Sequence, residues 1–270
     1  MQNSKTMKVQ IEEISSKGYQ LDFGTVFENA FENYKKIALY AGLMLLVFSI
    51  IISILTIAGL ISYVGIENME GFGEKMKQIS TSKVMPLDIA IPLNAGLLLF
   101  SGFISPFMSG FLKMADCGQK GEEFHVSTMF SYYKFHYFLN IFLSVIIIGL
   151  ISTSVAMLLE SAGLSFVGTV TSLLISFLTF LSIPLIVFGN LNATDAIKYS
   201  ILLVSKQPLI LLGLTIVAGI GSALGIFGLC IGIFFTLPFM YSMNYVIYKS
   251  IVGFDETSEI DEISGTENQY

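Results

Sequence analysis

His125 and His136 are the side chains of this sequence with the most versatile chemistry, because imidazole binds metals and carries protons near neutral pH. They lie eleven residues apart, which is about three turns of a helix. At that spacing they cannot share a metal ion without ligands from elsewhere. No serine and no acidic residue can be combined with them into a catalytic set. Asp116 and Cys117 precede the polar run GQKGEE, which favours a solvated turn over a metal loop. We therefore expect no catalytic residues, no metal site, no cofactor and no enzymatic activity.

A glycine-rich stretch late in the chain has a spacing that two kinds of structure use. Gly219, Gly221 and Gly225 imitate part of a nucleotide-binding fingerprint, but the strand and soluble crossover that give the motif its meaning are missing. Gly221 with Gly225, and Gly228 with Gly232, have the small-xxx-small spacing that lets membrane helices approach closely. We expect these four glycines to serve helix packing.

The composition explains why chemical motifs are scarce. Apolar residues make up 54% of the chain and charged residues 13%, whereas soluble domains carry about 25% charged residues. The mean hydropathy is +0.75. The sequence is therefore that of an integral membrane protein. Cys117 and Cys230 lie far apart in different surroundings, so we expect two free thiols.

The apolar runs predict the topology, since a hydrocarbon core about 30 Å thick needs about 20 apolar residues of helix. Six spans are predicted, at 38–64, 88–114, 138–159, 163–189, 208–226 and 229–251. Eleven of the fourteen lysines fall on one side of this topology, which predicts that both termini lie in the cytoplasm. The predicted domains are a cytoplasmic segment 1–22, a membrane domain 23–253 and an acidic disordered tail 254–270.

A short amphipathic stretch precedes each odd-numbered span. The three stretches are FGTVFENAFENYKKI from Phe23, HVSTMFSYYKFHYF from His125 and NATDAIKYSILLVSKQP from Asn192. Each is too short and too polar to span the bilayer but has an apolar face that requires burial. We predict helices that lie in the cytoplasmic interface and call them the pre-span segments. Their expected anchors are Phe27, Phe31, Phe130, Tyr133, Ile197 and Ile201.

A proline stands in the cytoplasmic third of each even-numbered span: Pro106, Pro184 and Pro238. Proline removes one backbone hydrogen bond and clashes with the carbonyl four residues earlier, so we predict a bend near the exit of each helix. The fold class is therefore all-α. We predict a polytopic bundle of six transmembrane helices, arranged in three repeated units of an interfacial helix plus a helical hairpin.

No ionisable side chain falls at mid-depth of a predicted span, where it would indicate a proton or ion path. Asp88, Lys113 and Glu160 fall at span ends. The uncharged polar residues of the spans leave two interpretations open, hydrogen bonds between helices or a path for an uncharged solute. These residues are Asn94, Ser101, Asn140, Ser144, Ser152, Ser154, Thr169, Thr171, Ser172, Ser176, Thr179 and Asn244.

Three stretches carry a resemblance to a known group of proteins: LDFGTVFENAFENYKK at 21–36, GIGSALGIFGLCIGIFFTLPF at 219–239 and YSMNYVIYKSIVG at 241–253. They resemble a large group of uncharacterised bacterial six-span membrane proteins, related to the membrane domain fused to some glycerophosphoryl diester phosphodiesterases. The resemblance covers residues 20–253. It implies an accessory or transport-like role in the membrane and supplies no catalytic residues.

Two functions stay open from the sequence. The first is a non-enzymatic inner-membrane protein that organises the membrane or interacts with lipid. The alternative is a transporter or channel for a small uncharged or apolar solute, gated at the proline bends. Membrane lipids are the expected partners, and nucleic acid is not. A homo-oligomer or another membrane protein as partner stays open.

Overall fold

A computed structural model gives the fold and describes residues 4–68, 70–74, 77, 87–228 and 231–253, with the backbone alone for residues 87 and 88. Of these residues 88% are helical and none lies in a strand, which confirms the all-α prediction. The acidic tail after Gly253, Cys230, Lys75, Lys83 and the side chain of Asp88 lie outside the described residues.

The main helices follow one another as α1 (Ser4–Lys17), α2 (Phe23–Val64), α3 (Leu87–Lys120), α4 (Phe135–Ser161), α5 (Ser165–Thr179), α6 (Ser182–Val187), α7 (Ala193–Val204), α8 (Pro208–Ala223), α9 (Gly232–Thr236) and α10 (Pro238–Val252). Short 3-10 helices lie between them at Ile66–Asn68, Val126–Tyr133 and Leu224–Phe227.

Five helical stretches within the described residues are long and apolar enough to cross a membrane. They are Phe23–Val64, Ile89–Lys120, Phe135–Ser161, Ser165–Val187 and Pro208–Phe227, and they contain most of the first five predicted spans. The sixth predicted span, 229–251, is divided, because α9 ends at Thr236 and α10 begins at Pro238. The helices fit a multi-pass membrane protein.

Helix α2 is unbroken over 42 residues, a length of about 63 Å at 1.5 Å per residue. Asp22 caps its start, since its carboxylate accepts a hydrogen bond from the backbone N–H of Thr25 at 2.7 Å. The prediction of a separate interfacial helix at 23–36 is wrong, because this segment continues directly into the first span. The sequence from Phe23 to Val64 contains no proline that would interrupt the helix.

The second and third pre-span segments are separate elements. The 3-10 helix Val126–Tyr133 is divided from α4 by Lys134, whose backbone is extended. Helix α7 is capped by Asn192, which accepts from the N–H of Asp195 at 2.9 Å. Pro208 opens the following span at a position that a helix tolerates well.

The core of the protein lies around α10, which packs against α2, α3 and α8. Tyr245, Ile247 and Tyr248 of α10 are fully buried. Helix α1 covers the end of α10, where the side-chain amide of Gln10 donates to the carbonyl of Val252 at 2.7 Å. No residue of α2 after Leu45 is fully buried, and most apolar side chains of that half are exposed.

Candidate functional site

The three predicted proline bends differ in how far they break their helices. Pro106 lies inside α3, which continues through it to Lys120. Before Pro184 the helix stops at Thr179 and resumes at Ser182, so Phe180 and Leu181 form the break. Pro238 is the first residue of α10, and Leu237 separates it from α9.

At the Pro238 bend, α10 is held against the first pre-span segment. The hydroxyl of Tyr34 donates to the carbonyl of Phe235 at 3.1 Å. The hydroxyl of Ser242 donates to the carbonyl of Ala30 at 2.7 Å. The ring of Phe239 packs edge-on to Tyr34, with centroids 5.4 Å apart.

Near Pro106, α3 is held against the second pre-span segment in a similar way. The hydroxyl of Tyr133 donates to the carbonyl of Phe103 at 3.0 Å. Gly110 lies so close to the backbone of Met129 that a Cβ atom there would stand 2.6 Å from the Met129 Cα. The rings of Phe107 and Phe130 lie 5.9 Å apart.

At the Pro184 bend, the third pre-span segment supplies a serine. The hydroxyl of Ser200 accepts from the backbone N–H of Leu181 at 3.2 Å and donates to the carbonyl of Leu178 at 2.9 Å. From α10, the side-chain amide of Asn244 donates to the carbonyl of Phe180 at 3.3 Å. That carbonyl lies four residues before Pro184, where proline leaves the helix without its usual N–H donor.

The three contacts share one position relative to the proline, although Tyr34 and Tyr133 donate to a carbonyl and Ser200 accepts from an N–H. In each, a hydroxyl from a pre-span segment bonds to the backbone of the residue three positions before the proline. The three hydroxyl residues, Tyr34, Tyr133 and Ser200, each follow by four positions a residue with no exposed surface: Ala30, Met129 and Ala196.

A cavity of about 340 Å³ lies where the three proline-containing segments meet. It borders the Pro106 region of α3, Ile183 beside Pro184, and Tyr241 and Asn244 after Pro238. Its lining consists of Phe100, Ser101, Ile104, Ser105, Met108, Ser109, Leu112, Val145, Ile183, Tyr241 and Asn244. None of these side chains is charged, and Phe100 and Ser101 are exposed, so the cavity opens at the outer face of α3.

Of the polar residues that the sequence analysis named, Ser101 and Asn244 line this cavity. Several others donate to a carbonyl of their own helix, four residues earlier. These are Asn94, Asn140, Thr169, Thr171 and Thr179. Such bonds are local, so they satisfy the donors of these five side chains within their own helices.

The predicted anchors divide between the protein and the exposed surface. Phe27 packs against the core, and its ring lies 6.1 Å from that of Phe239. Ile197 is half-buried. Four anchors remain exposed by about two fifths, namely Phe31 (43%), Phe130 (43%), Tyr133 (40%) and Ile201 (39%). The pre-span segments therefore use one face for packing and leave part of the other available to lipid.

The predicted packing glycines lie in and beside the hairpin that joins α8 to α9. A Cβ on Gly225 would stand 2.4 Å from the backbone of Gly232 and 2.3 Å from the hydroxyl of Thr236. Gly221 faces the ring of Phe239, and the N–H of Gly228 donates to the Gly225 carbonyl at 3.1 Å. Close approach across the hairpin therefore requires glycine at 225.

The ionisable candidates do not form a reactive group. His136 Nε2 lies 3.0 Å from the Asn190 side-chain oxygen. At His125 the backbone N–H, not the imidazole, donates to the Thr128 hydroxyl at 3.0 Å. Within the described residues, no group of three or more His, Cys, Asp or Glu side chains could hold a metal ion.

The interpretation of Asp116 and Cys117 as part of a solvated turn is wrong. Helix α3 continues to Lys120, so both residues are helical and buried. Asp116 accepts from Lys113 at 2.6 Å, from Lys120 at 3.1 Å and from the hydroxyl of Tyr245 at 3.0 Å. These partners compensate for the burial of its charge.

The sequence analysis missed the packing of α1. Met7 and Ile11, four residues apart, are fully buried, and that spacing is the signal that would have revealed an amphipathic helix. Lys8 pairs with Asp195 of α7. The hydroxyl of Tyr199 donates to Glu12 at 2.8 Å, and burial together with this acid raises the pKa of Tyr199 to about 12.

No family model, no curated protein and no solved structure matches the chain. The resemblance to the glycerophosphoryl diester phosphodiesterase membrane domain therefore stays a prediction.

Proposed function

We propose that this chain is a non-enzymatic protein of the bacterial inner membrane that holds a lipid-like, uncharged molecule between its proline bends. The observation that carries the proposal is the cavity of about 340 Å³ with eleven uncharged lining residues. This volume lies within the range of about 300–1,000 Å³ that is typical of small-molecule sites. A lining that is mostly apolar and open at the outer face of α3 suits a molecule that arrives from the bilayer.

Six spans in three units are part of this proposal. The hydroxyl contacts support it, since they link the bend of the first unit to the second pre-span segment, the second bend to the third segment, and the third bend to the first segment. Three similar units around an axis would produce such a closed cycle. Helices α9 and α10 together would form the sixth span, because the 21 residues from 232 to 252 extend about 30 Å as a helix.

Both ends of the membrane domain are proposed to face the cytoplasm. The contact between Gln10 and Val252 supports this orientation, because it brings α1 to the C-terminal end of α10. The excess of lysine at this end of the bundle has the sign that the positive-inside rule requires.

Retention of a bound molecule by the purified protein tests the proposal. Ser101 is exposed at the mouth of the cavity, so Ser101→Phe would block entry with little effect on the core. Ser154→Phe adds the same group to an exposed position of α4 outside the lining and serves as the matched control. Native mass spectrometry is expected to find a lipid-like molecule on the wild type and on Ser154→Phe, and much less on Ser101→Phe. Equal retention by all three would contradict the proposal.

A transporter or channel for a small uncharged solute is the second candidate. The cavity borders all three proline bends, so straightening a bend would change its shape. Flux of glycerol into proteoliposomes, compared with protein-free liposomes, tests this candidate. Flux that is lost in Pro106→Ala, Pro184→Ala and Pro238→Ala would favour transport over retention.

A further inference from the structure

The polar groups of the cavity differ in which hydrogen-bonding partners they still lack. Ser101, Ser105 and Ser109 recur every four residues along α3 and therefore share one face. The hydroxyl of Ser101 donates to the carbonyl of Leu97 at 2.8 Å, and that of Ser109 donates to the carbonyl of Ser105 at 2.8 Å. Their hydrogens are therefore engaged, whereas a hydroxyl oxygen can still accept.

Asn244 adds an acceptor that has no partner. Its side-chain nitrogen is engaged with the carbonyl of Phe180 at 3.3 Å. Its side-chain oxygen is buried and makes no hydrogen bond. A buried acceptor without a partner is unfavourable, because the loss of water is not compensated. A ligand that donates a hydrogen bond would remove this penalty.

The remaining lining limits the charge and the body of such a ligand. An anion would find no lysine in the cavity and a cation would find no acid, so either would lose its hydration without compensation. The other lining residues are apolar or aromatic, including Ile104, Met108, Leu112 and Ile183. They favour a hydrocarbon body.

We propose that the cavity selects a neutral amphiphile that carries a free hydroxyl group, and that this hydroxyl donates to the side-chain oxygen of Asn244. Diacylglycerols and long-chain isoprenoid alcohols have this chemistry, whereas every phospholipid carries a charged phosphate group. The inference rests on the proposed function, since it names the class of molecule that the cavity holds.

The chain contains no tryptophan, so one introduced tryptophan reports on one place. Phe100→Trp puts the reporter at the cavity mouth, and Leu150→Trp puts it on an exposed part of α4 outside the lining. The probes, added to the purified full-length protein in detergent, are a diacylglycerol with brominated chains, its acetylated form and the corresponding brominated phosphatidic acid. Bromine quenches tryptophan fluorescence on contact.

The brominated diacylglycerol is expected to quench Phe100→Trp at lower concentration than it quenches Leu150→Trp. The acetylated and phosphorylated probes should bind about tenfold more weakly, the size expected when one buried hydrogen bond is lost. Asn244→Leu in the Phe100→Trp background should weaken binding of the diacylglycerol by a similar factor. The acetylated probe is used without any substitution at Asn244. It therefore tests selection of a hydroxyl group even if Asn244→Leu fails to fold.

Equal quenching of Phe100→Trp by the diacylglycerol and its acetylated form would overturn selection of a hydroxyl and leave the proposed function standing. Stronger quenching by the phosphatidic acid would overturn the preference for a neutral ligand. If no probe distinguishes Phe100→Trp from Leu150→Trp, the proposed function fails as well.

Discussion

The hydroxyl of Tyr34 lies 3.1 Å from the carbonyl oxygen of Phe235, although the two residues are 201 positions apart in the chain. The bond joins the N-terminal half of α2 to the backbone just before Pro238. Tyr133 makes the same kind of bond to Phe103 before Pro106. A proline bend has fewer internal hydrogen bonds than a regular helix, so a donor from another element can fix its direction.

Tyr34→Phe removes the donor at the Pro238 bend and keeps the ring that packs on Phe239. We expect the free energy of unfolding to fall by about 1 kcal/mol, the usual contribution of one hydrogen bond. Tyr63→Phe is the matched control, because Tyr63 is 90% exposed on the same helix. Unfolding in a detergent titration measures both. A loss in Tyr63→Phe as large as that in Tyr34→Phe would contradict the account.

Ser200→Ala should lower the free energy of unfolding more than Tyr34→Phe does. Ser200 is fully buried and has two hydrogen bonds, so its loss leaves the Leu181 N–H and the Leu178 carbonyl without this partner. A decrease of about 2–3 kcal/mol is expected, since unpaired buried groups cost about 1–3 kcal/mol each. Ser205→Ala, at an exposed position one turn later, should change stability little. Equal stability of the two variants would show that the bend does not need this serine.

Two glycines of the same region should respond to alanine with opposite signs. At Gly225 a Cβ would overlap Gly232 and Thr236, so Gly225→Ala is expected to destabilise by about 1–3 kcal/mol. At Gly219 a Cβ would meet no atom within 4 Å, so Gly219→Ala should leave stability unchanged or raise it by up to about 1 kcal/mol. Thermal unfolding of the purified variants compares them. Tolerance of Gly225→Ala would mean that the hairpin packs less closely than described.

Asp116→Asn should destabilise the end of the bundle that contains the C-terminal end of α3. The carboxylate is buried and bonded to Lys113, Lys120 and Tyr245, so the change removes the anion that both lysines share. Breaking a fully buried pair costs about 3–5 kcal/mol, and because both lysines are partly exposed we expect about 2–3 kcal/mol. Glu160→Gln, an exposed acid, should have no such effect. Retention of wild-type unfolding by Asp116→Asn would contradict a structural role for the network.

Cysteine labelling tests the proposed orientation. In a background with Cys117→Ala and Cys230→Ala, Lys17→Cys and Lys206→Cys should be protected from a membrane-impermeant maleimide added to intact cells. Ser161→Cys, at the other end of α4, should react. Labelling of Lys17→Cys without Lys206→Cys would place the two on opposite sides and would contradict six spans.

The helix interruptions before Pro184 and Pro238 could be predicted from the sequence because proline acts locally, whereas α3 continues through Pro106. The missing N–H and the ring of a proline disturb the preceding turn wherever it stands in a helix interior. The separate helix α7 could also be predicted, because Asn192 is suited to cap its start and Pro208 is suited to begin the next helix. The length of α2 was not predicted. Lys35 and Lys36 indicated a membrane boundary, but nothing in the sequence ends the helix there.

The candidate site could be predicted only in part, because it depends on contacts between distant residues. Ser101 and Asn244 stood out as polar residues in apolar runs, but their shared cavity depends on how α3 and α10 pack. Asp116 was assigned to a turn because polar residues follow it. Its burial depends on Tyr245, 129 positions away, which no local pattern reports.

Determination of the structure in lipid nanodiscs by electron cryo-microscopy tests the central claim most directly. The account predicts density for one elongated molecule that enters beside Phe100, passes Ser105 and ends within hydrogen-bond distance of the Asn244 side-chain oxygen. Closure of α3 onto α10, with Met108 filling the space and no density between them, would contradict it.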